Sequence, residues 1–253
     1  MSATTKIEDR KGEEIGDLRA WKKAASPGEG RWKKGRGPYE LADSWLSGRG
    51  AGALRMALDG AEGTSGFQIE KGVADAQSRF DDFGGPLSHD LLLVGEAEGG
   101  RTIVAIQGKT GESFGQTLGE YKGAFTRKVA RNENTNAPQR LRDLTLAVAG
   151  WEVADNASRL KLRFQLFSAV AGTLAAAVDE EADQAVLCIH ELAHEDDKEH
   201  ERNEDDLRDF LHTVFDAHVA TDADTWVVGP LHATPRSDRI PSTIPLYIAK
   251  IST

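Results

Sequence analysis

Apolar and polar positions follow different periods along this chain, and each period predicts an element. Leu41, Ala42, Trp45 and Leu46 recur at helical spacing behind Pro38, which suits a first turn, so a helix follows Gly37. The glycine-rich stretch 48–52 ends it, and a short helix covers about 53–58. Residues 67–80 carry only weak strand character. The clearest local pattern is a hairpin: 89–94 and 102–107 are strand-like runs, and Glu96-Ala97-Glu98-Gly99-Gly100 between them is turn material. Both runs are apolar on both faces, which predicts a covered, central strand pair. A helix from about 115 to 131 follows, then a polar loop at 132–138, a short helical stretch near 141–148 and a long core helix over about 159–178. Strands are expected at 185–189, 226–228 and 244–251, and an amphipathic helix at 205–219. Residues 1–30 mix charge, Gly and Pro around Trp21 with no sustained period, and predict a loosely ordered arm. Residues 31–253 are then one domain with helical elaboration. The order predicts an α/β fold with helices flanking a mixed central β-sheet.

Composition adds bounds to this picture. A chain of 253 residues with 39% hydrophobic and 28% charged positions buries a sizeable core without staples. The single Cys188 excludes an internal disulfide framework and points to a reducing compartment. The longest uncharged helical run, 164–178, is too short for a bilayer, and the start MSATTKIEDRKGEE lacks a signal-peptide apolar stretch. The expectation is a cytoplasmic protein with no membrane partner.

Net charge changes the choice of partner only once it is mapped. The formal charge is −10, which argues against a polyanion partner. However, the tract from Asp179 to Asp209 holds 14 acidic and 3 basic residues, leaving 28 basic and 27 acidic elsewhere. The remainder is nearly neutral and carries basic strips at Arg31, Lys33, Lys34 and Arg36 and at Lys122, Arg127, Lys128 and Arg131. Each strip is either a solvated face or a polyanion contact.

The chemistry-bearing constellation lies on the hairpin. If the turn is centred between Glu98 and Gly99, Asp90 pairs with Gln107, and Lys109 projects to the same face two residues on. Charged groups at the rim of an apolar core cost a few kcal/mol each, on the order of 2–5, unless paired or metal-bound. One explanation is an Asp–Lys ion pair beside a hydrogen-bonded Gln. The other is a divalent-metal site: Asp90 and the Gln107 carbonyl are hard oxygen ligands for Mg²⁺ or Mn²⁺, and Lys109 orients or deprotonates a water and offsets charge on phosphate.

The pattern Asp90…Gln107-Gly108-Lys109 resembles the core of the PD-(D/E)XK nuclease superfamily. The blocks WKKGRGPYELADSWL (32–46), SHDLLLVG (88–95), IQGKTGESFGQTLGEY (106–121), LRFQLFSAVAGTL (162–174), VLCIHEL (186–192) and IPLYIAKI (244–251) are similar to an uncharacterised bacterial family with that core. The resemblance implies a restriction-endonuclease-like core and metal-dependent hydrolysis of nucleic-acid phosphodiesters. It further implies Glu40 from the preceding helix as an additional acid, and the Gly108 carbonyl as an extra metal ligand. Lys122, Arg127, Lys128 and Arg131 become phosphate contacts on the helix flanking the site. Nucleic acid, DNA first, and a second copy of the chain are the implied partners. Two departures stand out: Gln107 replaces the usual acid, and His89 precedes Asp90 where a proline is common. A non-catalytic binding protein on the same fold is the alternative that Gln107 favours. Glu112 either contacts the metal or lysine, or caps the helix beginning near Gly115, the cap being preferred. Arg163 and Gln165 either reach the site or, for the arginine, form a buried pair.

His190-Glu191-Leu192-Ala193-His194 matches HExxH, the pattern of zinc hydrolases in which two histidines one helical turn apart bind Zn²⁺. The residues before it read as a strand and EDDKEHERNEDD after it is too polar for a buried helix, so a chance match at a strand end is preferred over zinc. His200 and Glu195 are the possible third ligands. Cys188 lies in an apolar run and reads as core.

Overall fold

The computed structural model describes residues 6–25, 32–153, 156–192, 197–220 and 223–253, without the side chains of 197–200. Its strands are β1 (Ile7–Glu8), β2 (Gln68–Ser78), β3 (Leu87–Ala97), β4 (Gly100–Lys109), β5 (Gln184–Glu191), β6 (Trp226–Leu231) and β7 (Leu246–Ser252). The helices are α1 (Leu18–Ala25), α2 (Gly37–Leu46), α3 (Arg49–Leu58), α4 (Leu118–Ala130), α5 (Ala137–Ala149), α6 (Ala157–Lys161), α7 (Phe164–Asp179) and α8 (Asp197–Phe215). The strands form one seven-stranded mixed sheet in the order β1-β2-β3-β4-β5-β7-β6, flanked by helices as an α/β fold.

Strand direction follows from connection length. β2, β3 and β4 run antiparallel through short turns, whereas β5 joins β4 in parallel after the long excursion through α4 to α7, and β7 joins β5 in parallel after α8 and β6. The β3–β4 register pairs Leu91 with Ile106 and Ala97 with Gly100, the register expected from the hairpin turn. Alternation then divides the central strands between two cores. Leu91, Leu93, Val104, Ile106, Val186 and Cys188 face α1, α2 and α3 with Trp21, Leu41 and Trp45. Leu92, Val94, Ile103, Ala105, Leu187 and Ile189 face the second layer, where Leu118, Leu144, Phe167, Leu174 and Phe210 pack.

Several elements differ from expectation. Residues 6–25 are ordered against the body rather than a loose arm: β1 pairs in parallel with β2, and Ile7, Ile15 and Trp21 are buried. Sparse apolar residues hid this, because three anchors suffice to dock a short segment onto a sheet already folded. Residues 1–5 and 26–31, including Arg31, lie outside the described residues. The expected long helix is broken into α6 and α7, since Leu162 and Arg163 are extended and Leu118 N–H and Phe164 N–H bond to the Leu162 and Gln116 carbonyls. α8 begins at Asp197, earlier than expected, and ends at Phe215. Its first half is highly charged, but Glu, Lys and Arg are good helix formers, and Leu207, Phe210 and Leu211 suffice as one buried stripe.

Candidate functional site

The start of β3 and the end of β4 lie at the same end of the sheet, because the strands are antiparallel and joined at 97–100. The β3–β4 pairing ends at Leu91–Ile106, and alternation along β3 breaks there: His89 lies against Gly172 of α7, whereas the Asp90 carboxylate lies beside Gly108 on the side of Leu41 of α2. The Gly108 N–H donates to Asp90 Oδ2 at 2.8 Å. Asp90 as a residue keeps an exposed side, but its carboxyl group lies among protein atoms. That desolvation raises its pKa to about 6, opposed by the Gly108 N–H and Lys109 and assisted by Asp75 and Glu112. Gln107 is buried and its Nε2 donates to the Ser88 carbonyl at 3.4 Å, leaving the amide oxygen as its ligating end.

Lys109 is 4% exposed. Its Nζ donates to the Ser113 carbonyl and to Gln165 Oε1, both at 3.2 Å, and lies 4.7 Å from the Phe114 ring centre. Burial lowers its pKa, while the Glu112, Asp90 and Glu191 carboxylates act in the opposite direction. Asp90 and Lys109 are thus neighbours, but each is held by its own partners rather than by a direct ion pair of the simple sheet-closing kind.

Glu191 is the register partner of Lys109 on β5 and is buried. On its other side Lys250 of β7, 2% exposed, lies 3.3 Å from Glu191 and also bonds Glu204 of α8. Glu204 in turn accepts from Arg208 at 2.7 Å. A row of alternating charge therefore crosses the ends of β4, β5 and β7. Buried ionisable groups of both signs gathered at a strand end are a feature of functional sites as well as of structural networks.

Residues 14–253 match the family described as Domain of unknown function (DUF6946). The chain belongs to that family. No curated protein and no solved structure matches it.

Glu40 lies on α2, whose next residue, Leu41, flanks Gly108 and the Asp90 carboxylate. The Glu40 carboxylate accepts the Gly35 N–H at 2.6 Å. Gly108 is beside His190 in the parallel ladder. Glu112 is not the cap of α4: a Thr117–Glu120 capping box performs that task, and Glu112 Oε2 accepts from Thr110 N–H and Oγ at 2.7 and 2.9 Å. Those bonds outweigh partial burial and lower its pKa. Gln165 reaches Lys109, whereas Arg163 is the buried, paired arginine, with Nε 2.8 Å from Asp206 Oδ2.

On α4, Arg127, Lys128 and Arg131 share an exposed side and Lys122 falls on the half-buried side, as 100° per residue requires. Arg131 is paired with Glu133 at 2.9 Å, and Arg127 lines a shallow groove with Gln116, Gly119 and Arg202. The four residues are therefore not one continuous phosphate-facing row.

His190 and Glu191 lie on β5, not a helix, and point to opposite faces of the sheet. Trp45 Nε1 donates to His190 Nδ1 at 3.1 Å, and His190 Nε2 pairs with Thr253 Oγ1 at 2.9 Å, so both ring nitrogens are engaged. His194 and Glu195 lie outside the described residues, as does the His200 side chain.

Sequence reasoning missed Glu191 as a neighbour of Lys109, together with Lys250, Glu204 and Asp75. Asp75 sits at a left-handed φ of 52° in β2 and lies 3.3 Å from Arg10. Desolvation raises its pKa. Its only sequence signal was a lone acid in a weak strand.

Proposed function

We propose that this chain is a metal-dependent nuclease on a restriction-endonuclease-like core, hydrolysing phosphodiester bonds of nucleic acid. The observation that carries this reading is that Asp90 at the start of β3 and Gln107 and Lys109 at the end of β4 meet at one end of the sheet, where the Gly108 N–H holds Asp90 Oδ2 and the Asp90 carboxylate acts on the Lys109 ammonium. The donor set fits a hard, water-rich cation: a carboxylate with one oxygen on a backbone N–H, and an amide oxygen whose nitrogen is engaged elsewhere. Among the described residues these acids do not form a tight three-carboxylate cage, so Mg²⁺ or Mn²⁺ would keep most of its waters. When bound, such an ion supplies Lewis acidity and makes a coordinated water more acidic.

The chain's own residues have distinct tasks in this scheme. Asp90 and Gln107 hold the cation. Lys109 sets its ammonium against charge developing on a phosphate, and its lowered pKa brings proton exchange at Nζ closer to neutral pH. Gln165, the Ser113 carbonyl and the Phe114 ring hold that ammonium in place. Lys128 and Arg127 on α4 are the exposed candidates for phosphate contacts.

A second reading, a non-catalytic nucleic-acid-binding member of the same fold, is favoured by one observation: the amide of Gln107 stands where a carboxylate would bind metal more strongly. Plasmid and oligonucleotide cleavage with Mg²⁺ and Mn²⁺ separates the two. The native chain is expected to cut, and Lys109→Ala to lose about 100-fold or more of that rate. Cleavage undiminished in Lys109→Ala sinks the catalytic assignment, and binding without cleavage in the native chain supports the second reading.

A further inference from the structure

At the opposite end of the sheet a different donor set comes together. We propose that His212, Asp216 and His218 bind a borderline divalent transition-metal ion of the Zn²⁺ type at the C-terminal end of α8. All three are exposed, and one ligand atom from each lies within 4.8 Å of the others, the only such group of His, Cys, Asp and Glu among the described residues. His212 Nδ1 is 4.0 Å from Asp216 Oδ1, and the two imidazole rings are 4.7 Å apart with an interplanar angle of 32°.

The local backbone explains why three residues spread over seven positions meet. His212 and Asp216 are one helical turn apart and share a face. The helix is then closed by bonds from the Asp216 N–H to the His212 carbonyl at 3.0 Å and from the Ala217 N–H to the Leu211 carbonyl at 3.2 Å. Asp216 takes a left-handed φ of 51° at that closure, which reverses the chain and returns His218 over His212. A site whose backbone is already set needs only side-chain rotation to contract: tetrahedral coordination with bonds of about 2.0–2.2 Å places ligand atoms about 3.4 Å apart.

The chemistry selects the ion. Two imidazoles and one carboxylate suit Zn²⁺, Ni²⁺ or Cu²⁺ and not Mg²⁺, which takes oxygen ligands. The partial negative charge at the end of the 19-residue α8 favours a cation there. Three protein ligands leave a coordination position open, and His218 also lines an open cleft of about 750 Å³ with Glu62, Glu98, Pro230 and Tyr247. Glu98 belongs to the hairpin turn, eight residues from Asp90 along β3, on the order of 25 Å. The two sites are therefore separate, and neither depends on the other.

The test is Zn²⁺ titration of the metal-stripped full chain by calorimetry, with Co²⁺ absorption as a report of coordination. One ion per chain is expected, with affinity reduced at least tenfold in each of His212→Ala, His218→Ala and Asp216→Asn. His194→Ala and His200→Ala are expected to bind as the native chain does. Because the three residues are exposed, circular dichroism should show the variants folded. No zinc binding by the native chain, or a loss that follows His194 or His200 instead, overturns the proposal.

Discussion

At the scale of single residues, burial rather than net charge sets the titration behaviour. His89 and His190 are fully buried, and desolvation lowers their pKa values to about 4 and about 3. In the unfolded chain an imidazole takes up a proton near pH 6.5, so between that pH and the folded values the unfolded state binds more protons and is favoured by acid. Stability should therefore begin to fall as pH drops below about 6.5, by up to about 1.4 kcal/mol per pH unit for each histidine. Asp90 works in the opposite direction between its ordinary value of 3.8 and about 6, since there the folded state holds its proton more tightly, but its exposed side lets solvent screen the effect. The expected outcome is a net acid destabilisation measurable by urea unfolding at pH 5 to 7. His190→Gln should flatten that slope, whatever it does to stability at pH 8. An unchanged slope would mean that His190 takes up a proton without unfolding.

At the scale of elements, the sheet depends on close approach at one bulge. The β2–β3 register shifts between Ile69 and Lys71, and Gly95 of β3 faces that irregularity. A Cβ added at Gly95 would lie 2.0 Å from the Gln68 carbonyl oxygen and 3.0 Å from the Phe67 ring. The first of these is backbone and cannot rotate away. Gly95→Ala should destabilise by about 2 kcal/mol or more, through overpacking and a displaced strand. The same substitution at Gly52 in α3, where a Cβ meets nothing within 4 Å, should stabilise by about 0.5–1 kcal/mol because alanine is the better helix former. Denaturant midpoints of the two variants should therefore move in opposite directions.

At the scale of the whole molecule, the N-terminal segment and the acidic tract are both part of the scaffold. Trp21 of α1 is 1% exposed in the core beneath α2 and β2. Trp21→Ala should cost about 3–5 kcal/mol, a loss measurable as a lower thermal midpoint; an unchanged midpoint would mean that the segment folds independently of the body. The tract from Asp179 to Asp209 likewise does more than solvate a surface. Glu204 and Glu191 neutralise the buried Lys250, and Asp206 neutralises the buried Arg163. Part of the excess acid is therefore internal compensation for buried cations.

The hairpin and its register were legible in the sequence, because a turn flanked by apolar runs fixes which residues face each other and alternation fixes the side on which each lies. That placed Asp90, Gln107 and Lys109 at one end of the sheet, but did not reveal the break in alternation that turns the Asp90 carboxylate to the α2 side. The folded chain alone decided that Gln165, Glu191 and Asp75 gather near them, since these arrive from elements brought in by packing on distant apolar faces. It also decided that residues 6–25 dock and that the helix expected over 159–178 breaks at Leu162. Local pattern specifies the parity and ends of an element; which elements meet depends on long-range burial, for which the contributing residues carry no mark in their own neighbourhood.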